Sequence, residues 1–141
     1  MSPDALILFA EDDENDVLLF RMALRKAGIL NPVAHARDGE DALNYLSGAG
    51  SYSDRTQHPF PAIVFTDLKM PKLTGFEVLT WIRNQVQVKI LPAIVLSGSE
   101  EELDKRRAFA LGATAYWEKP TELADLVRLV HGVKLFLTGS P

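Results

Sequence analysis

The sequence predicts an α/β, doubly wound fold, and three observations carry that expectation. Short apolar runs alternate with stretches of helical spacing along the chain. The runs at 5–10 (ALILFA), 62–66 (AIVFT) and 92–97 (PAIVLS) are close to continuous, as strands buried on both faces require. Each of these runs then stops abruptly in polar residues. Strands alternating with helices imply a parallel sheet covered on both faces, and right-handed crossovers leave few ways to connect it.

The elements follow in order. After the strand at 5–10, residues 16–27 carry Val17, Leu18, Phe20, Met22, Ala23 and Leu24 at helical spacing, and Gly28 is a helix stop. Residues 31–37 (NPVAHAR) form a weaker second strand. A helix at 39–46 places Ala42, Leu43 and Leu46 on one side. Residues 48–61 (GAGSYSDRTQHPFP) have no period and read as a long surface loop, with either a specific role or simple mobility. The third strand, 62–66, leads to a helix at 75–85 with Phe76, Val78, Leu79 and Ile82 inward. The fourth strand, 92–97, leads to a charged helix at 100–111 that carries Leu103, Phe109 and Leu111. A short fifth strand, 114–117, precedes a last helix at 121–137 with Thr121 as its N-cap. In that helix Leu123, Leu126, Val127, Val130 and Val133 form a core stripe. Leu129, Phe136 and Leu137 widen it, which suits either a broad core helix or a partner face.

The 141 residues suit one domain (1–141, core about 5–137), and the 47% hydrophobic and 24% charged content is that of a globular protein. No apolar run approaches the ~20 residues that span a bilayer, and the N-terminus lacks a basic signal-peptide region. The expectation is therefore a cytoplasmic protein with no membrane partner. The absence of cysteine excludes disulfides and thiol catalysis. A net charge of −4 argues against a nucleic-acid partner. His35, His58 and His131 show no ligand spacing and read as structural or surface residues, and Trp81 and Trp117 as packing residues.

In parallel sheets, ligands lie beyond the carboxyl ends of the strands. The residues there are Glu11-Asp12-Asp13, then Asp67, then Ser97-Gly98-Ser99, then Glu118-Lys119-Pro120. Each group alone has a bland reading as a turn or a cap. All four together on one rim do not. Neighbouring carboxylates stay ionised only with a cation between them. Oxygen ligands without His or Cys select a hard ion, Mg²⁺ or Mn²⁺. A lysine and a hydroxyl are what the remaining oxygens of a phosphoryl group need.

The motifs ILFAEDD, FTDLKMPKLTG, PAIVLSGS and GATAYWEKP, in this order, resemble those of response-regulator receiver domains of two-component signalling. The resemblance implies a flavodoxin-like (βα)5 sandwich with a five-stranded parallel sheet in order 2-1-3-4-5. It makes Asp67 the phosphoacceptor, Asp12 a direct metal ligand, Glu11 a ligand through water, and the Lys69 backbone carbonyl a further ligand. Ser97 and Lys119 would hold the phosphoryl oxygens. Tyr116 would be the aromatic switch that follows Ser97, and Pro120 the proline after the family lysine, often in a cis bond. A one-residue slip would instead make Asp12 and Asp13 the acidic pair; the first register leaves Asp13, Glu14 and Asp16 as a solvated edge. Lys69 and Ser99 occupy positions that tune dephosphorylation in the family. The donor would be a histidine kinase or histidine phosphotransfer protein, with output through an unidentified protein partner. The long loop and last helix are similar to those of single-domain receivers of phytochrome-type kinases, some of which form homodimers through the final strand and helices. A haloacid-dehalogenase-type phosphatase is the competing enzyme reading, but it needs an acid where Lys69 stands. A non-phosphorylated scaffold would lack Asp67, Lys119 or the acidic pair.

Overall fold

The computed structural model describes residues 4–85, 90–134 and 137, and within them five strands alternate with five α-helices. The order is β1 (Ile7–Ala10), α1 (Glu14–Lys26), β2 (Val33–Ala36), α2 (Gly39–Ser47), a 3-10 turn (Gly50–Tyr52), β3 (Ile63–Thr66), α3 (Gly75–Asn84), β4 (Ala93–Ser97), α4 (Glu102–Ala110), β5 (Ala115–Glu118) and α5 (Leu123–His131). All strand pairs are parallel, in the order β2-β1-β3-β4-β5. The inner strands β1, β3 and β4 are buried throughout, whereas β2 and β5 are half-exposed edges. That difference explains why the edge sequences VAHA and AYWE are mixed and the inner ones are not.

The strand period of two divides the core. Leu6, Leu8 and Ala10 share one side with Val64, Ala93 and Val95, covered by Ala42 and Leu46 of α2, Val78, Leu79 and Ile82 of α3, and Ala108 of α4. Ile7 and Phe9 share the other with Ile63, Phe65, Ile94 and Leu96, under Phe20 and Leu24 of α1 and Leu126 and Val130 of α5. Phe20 anchors this second side, with ring centroids 4.3 Å from Phe9 and 4.9 Å from Phe65. Trp117 packs on Phe65 at 5.5 Å, and Trp81 packs against the first side.

Side-chain caps mark the starts of α1, α2 and α3. α3 has a reciprocal box: the Glu77 N–H donates to Thr74 Oγ1 at 3.3 Å, and the Thr74 N–H donates to Glu77 Oε1 at 3.2 Å. Thr74→Ala should lower unfolding free energy by about 1 kcal/mol, read as a shifted urea midpoint with unchanged slope. α1 begins at Glu14, ahead of the expected 16, because Asp13 caps it by accepting from the N–H groups of Asn15 (2.8 Å) and Asp16 (3.3 Å). α5 begins at Leu123 with Glu122 as cap residue, so Thr121 is not the N-cap. No side-chain cap bond marks this start, and Leu126 and Val130 are the residues of α5 buried in the core. The expected Phe136 contact lies outside the described residues. Leu137 is buried, and its N–H donates to the Val133 carbonyl at 3.0 Å. The Lys119–Pro120 bond is trans, not cis.

The loop at 48–61 is tied down, which favours a specific structural role over mobility. Arg55 donates to the carbonyls of Leu46 (2.8 Å) and His58 (3.1 Å), Tyr45 to that of Pro59 (2.9 Å), and Tyr52 to Asp41 Oδ1 (2.7 Å). The rings of Tyr45, Tyr52 and His58 pack together. His58 is thus a packing residue, and His131 is exposed at the end of α5.

Candidate functional site

The sheet ladder carries the candidate residues to its rim. Ala10 pairs with Thr66, Thr66 with Val95, and Ser97 with Glu118. One residue further, main-chain bonds continue: Glu11 N–H to the Ala36 carbonyl (3.0 Å), Asp67 N–H to Ala10 (3.0 Å) and Lys119 N–H to Ser97 (2.8 Å). Glu11, Asp67 and Lys119 therefore project from backbone that is hydrogen-bonded to a neighbouring strand. Gly75 permits this at β3. A Cβ there would lie 2.0 Å from the Asp67 carbonyl oxygen, so only glycine lets α3 start against that turn.

The side chains converge on one ammonium. Lys119 Nζ donates to Glu11 Oε1 (2.8 Å), Asp67 Oδ2 (2.8 Å) and Asp16 Oδ2 (2.7 Å). Glu11 is 0% exposed and Asp67 7%. Burial pushes the Glu11 carboxyl up to about 9; Lys119 pulls it back, and neighbouring Asp67 adds to the rise. Burial alone would lower the Lys119 pKa, but hydrogen bonds to Asp16, Asp67 and Glu11 hold it above the ordinary lysine value. The second Asp67 oxygen, Oδ1, accepts the Leu68 N–H at 2.7 Å. The structure also brings Asp12 into the group: oxygen atoms of Glu11, Asp12 and Asp67 all lie within 4.8 Å of one another. Three hard oxygen donors gathered in one place fit Mg²⁺ or Mn²⁺. Asp13 is outside this group and caps α1 instead.

Around this group, Ser97 ends β4 buried, and its Oγ accepts the Ser99 N–H at 3.1 Å. Tyr116 of β5 is half-buried and donates to the Ser99 carbonyl at 2.9 Å. Ser99 Oγ in turn donates to Asp104 Oδ2 of α4 at 2.6 Å. Ser97, Ser99 and Tyr116 thus form one continuous link from the rim to α4 and β5. Lys69 is exposed in the turn after Asp67.

Two neighbours were not anticipated from the sequence. Asp16, expected on a solvated edge, bonds Lys119 instead. It is the third residue of α1, and helical side chains tilt toward the N-terminus, which here is the rim. Acid three residues after an acidic cap was the available signal. His35 lies 2.6 Å through Nε2 from the Glu11 carbonyl, which makes it a structural residue of the site. Nothing in its sequence surroundings marks that contact.

The family model described as response regulator receiver domain matches residues 7–131. The chain belongs to this family. This receiver is 32% identical to Response regulator Rcp1 of Synechocystis sp. over 135 residues, 96% of this chain and 90% of that one. The structure superposes on the crystal structure of response regulator RPA3017 in red light signaling of R. palustris with TM-score 0.87 and 35% identity, covering 94% of this chain and 92% of that one. It matches the phosphorylated cyanobacterial phytochrome response regulator RcpA with TM-score 0.84 and 32% identity, over 94% and 93% of the two chains. The Mn²⁺-bound form of Rcp1 matches with TM-score 0.82 and 32% identity, over 94% and 93%. The receiver is thus similar to phytochrome-associated response regulators, as its loop and last helix had suggested.

Proposed function

We propose that this receiver is a phosphorylation-controlled switch in which Asp67 accepts a phosphoryl group from a phosphohistidine donor. An Asp67 carboxylate oxygen forms the new P–O bond as the P–N bond to the donor imidazole breaks, and the imidazole leaves. The observation that carries this reading is the Lys119 ammonium held 2.8 Å from Asp67 beside the Glu11–Asp12–Asp67 oxygen cluster. Asp12, Asp67, the Lys69 carbonyl and Glu11 through water would hold Mg²⁺ or Mn²⁺, which supplies charge compensation for the transferring oxygens. Lys119 and Ser97 bind the other phosphoryl oxygens. Ser97 moves toward the phosphoryl group, and the Ser99–Tyr116 link transmits that motion to α4 and β5.

The donor is a histidine kinase or histidine phosphotransfer protein, which places the receiver in the cytoplasm. Among the described residues no helix is long and apolar enough to cross a membrane. Output passes through a protein partner, and β5 at the open sheet edge with α5 offers the surface for a homodimer. The chain's own chemistry is limited to gaining and losing its phosphoryl group.

The test is intact mass after incubation with Mg²⁺ and acetyl phosphate. One labile phosphoryl adduct is expected in the parent chain and none in Asp67→Asn or without metal. An adduct that survives Asp67→Asn would remove the assignment. A second prediction concerns the exposed Lys69, whose long side chain stands at the rim where water must approach. Lys69→Ala should shorten the half-life of the adduct, and an equal half-life would remove Lys69 from dephosphorylation.

A further inference from the structure

The Lys119 ammonium has three hydrogens, and three different carboxylates take them: Glu11, Asp16 and Asp67. Glu11 and Asp67 belong to the oxygen cluster within 4.8 Å that fits a divalent cation; Asp16 does not. A cation in that cluster draws on the Glu11 and Asp67 oxygens and repels the ammonium beside them. An ammonium released from both, in a largely buried position, would keep Asp16 as its one anionic partner among the described residues. Asp16 is built to remain in place. It stands in the first turn of α1, where Asp13 accepts its N–H, and the next residue, Val17, is buried in the core.

We propose that Asp16 is a positioning residue that takes over the Lys119 ammonium when the Glu11–Asp12–Asp67 cluster binds a divalent cation. This rests on the metal-assisted switch described above. Asp16 acts through Lys119 and does not touch the cation. It lowers the cost of metal entry by giving the displaced ammonium a fixed partner. It also keeps that ammonium within reach of a phosphoryl group on Asp67. Without Asp16, Lys119 competes with the cation for Glu11 and Asp67.

The experiment is a double-mutant cycle read by calorimetric titration of Mg²⁺ alone into the full chain, Asp16→Asn, Lys119→Ala and the double variant. Circular dichroism checks each fold, and Asp16→Ser replaces Asp16→Asn if the amide does not fold. Asp16→Asn is expected to weaken Mg²⁺ binding about tenfold when Lys119 is present and by less than about threefold when it is not. Equal losses in the two backgrounds would mean that Asp16 acts only by its own charge, and the proposal would be wrong. No Mg²⁺ binding by the parent chain would instead remove the metal-assisted switch, and this inference with it.

Discussion

Lys119→Ala is expected to slow phosphoryl acceptance from acetyl phosphate by roughly 10²–10³-fold, the effect of removing one preorganised donor from developing charge. The same variant should bind Mg²⁺ at least as tightly as the parent. The two expectations point in opposite directions for one physical reason. The ammonium is 2.8 Å from both Glu11 and Asp67, so it helps a phosphoryl group but obstructs a cation. Removing it relieves the cation of a like-charged competitor and leaves the buried carboxylates in need of one. Rates from the mass adduct and Mg²⁺ affinity by calorimetry separate the cases. If both decline together, the ammonium is a structural brace for the carboxylates and not a participant in transfer.

Much of the sheet was legible because its inner strands are buried on both faces. ILFA, IVFT and AIVLS leave no helical alternative of adequate length between their flanking turns. The edge strands were harder to read, since VAHA and AYWE face solvent along part of their length. The loop at 48–61 gave no pattern because bonds from side chains to distant carbonyls hold it, such as Arg55 to Leu46 and Tyr45 to Pro59. Such pairs leave no local period.

The gathering of the rim residues followed from topology, because every strand end in a parallel sheet faces the same way. What did not follow was the set of partners inside it. Taking Glu11 and Asp12 as the acidic pair left Asp16 over as a solvated edge, in a helix expected to start at 16. Starting it at Glu14, behind the Asp13 cap, turns the same residue toward Lys119. His35 reaches the Glu11 carbonyl across neighbouring strands, a contact that only the β1–β2 register determines. On α4, Leu103 and Phe109 are 75% and 51% exposed, and Ala108 is the residue that meets the core. That helix is held largely by polar and cation–π contacts: Ser99 to Asp104, Lys105 to Glu118, and Arg107 at 4.1 Å over the Phe76 ring. An element held in this way can move when Ser99 moves, which is what the proposed switch requires.

Gly75→Ala should destabilise the fold by about 3 kcal/mol, near the upper end for forcing extra volume into a packed site. The added Cβ would meet the Asp67 carbonyl oxygen at 2.0 Å and Leu68 Cα at 3.0 Å, both backbone atoms with no rotamer to change. The Gly75 N–H donates to the Leu68 carbonyl at 2.9 Å, so α3 and the turn after β3 cannot simply separate without losing that bond. The clash therefore moves the turn that aims Asp67, and the rate of phosphoryl acceptance should fall along with stability. Gly98→Ala is the contrast. Its Cβ would meet nothing within 4 Å although it lies between Ser97 and Ser99 on the same rim. It should change stability by no more than about 0.5 kcal/mol. Urea denaturation of both variants beside the parent reads the difference. Equal small effects would show that the turn after β3 gives way easily, and Asp67 would then owe its position to Lys119 and the metal cluster instead of to rigid backbone.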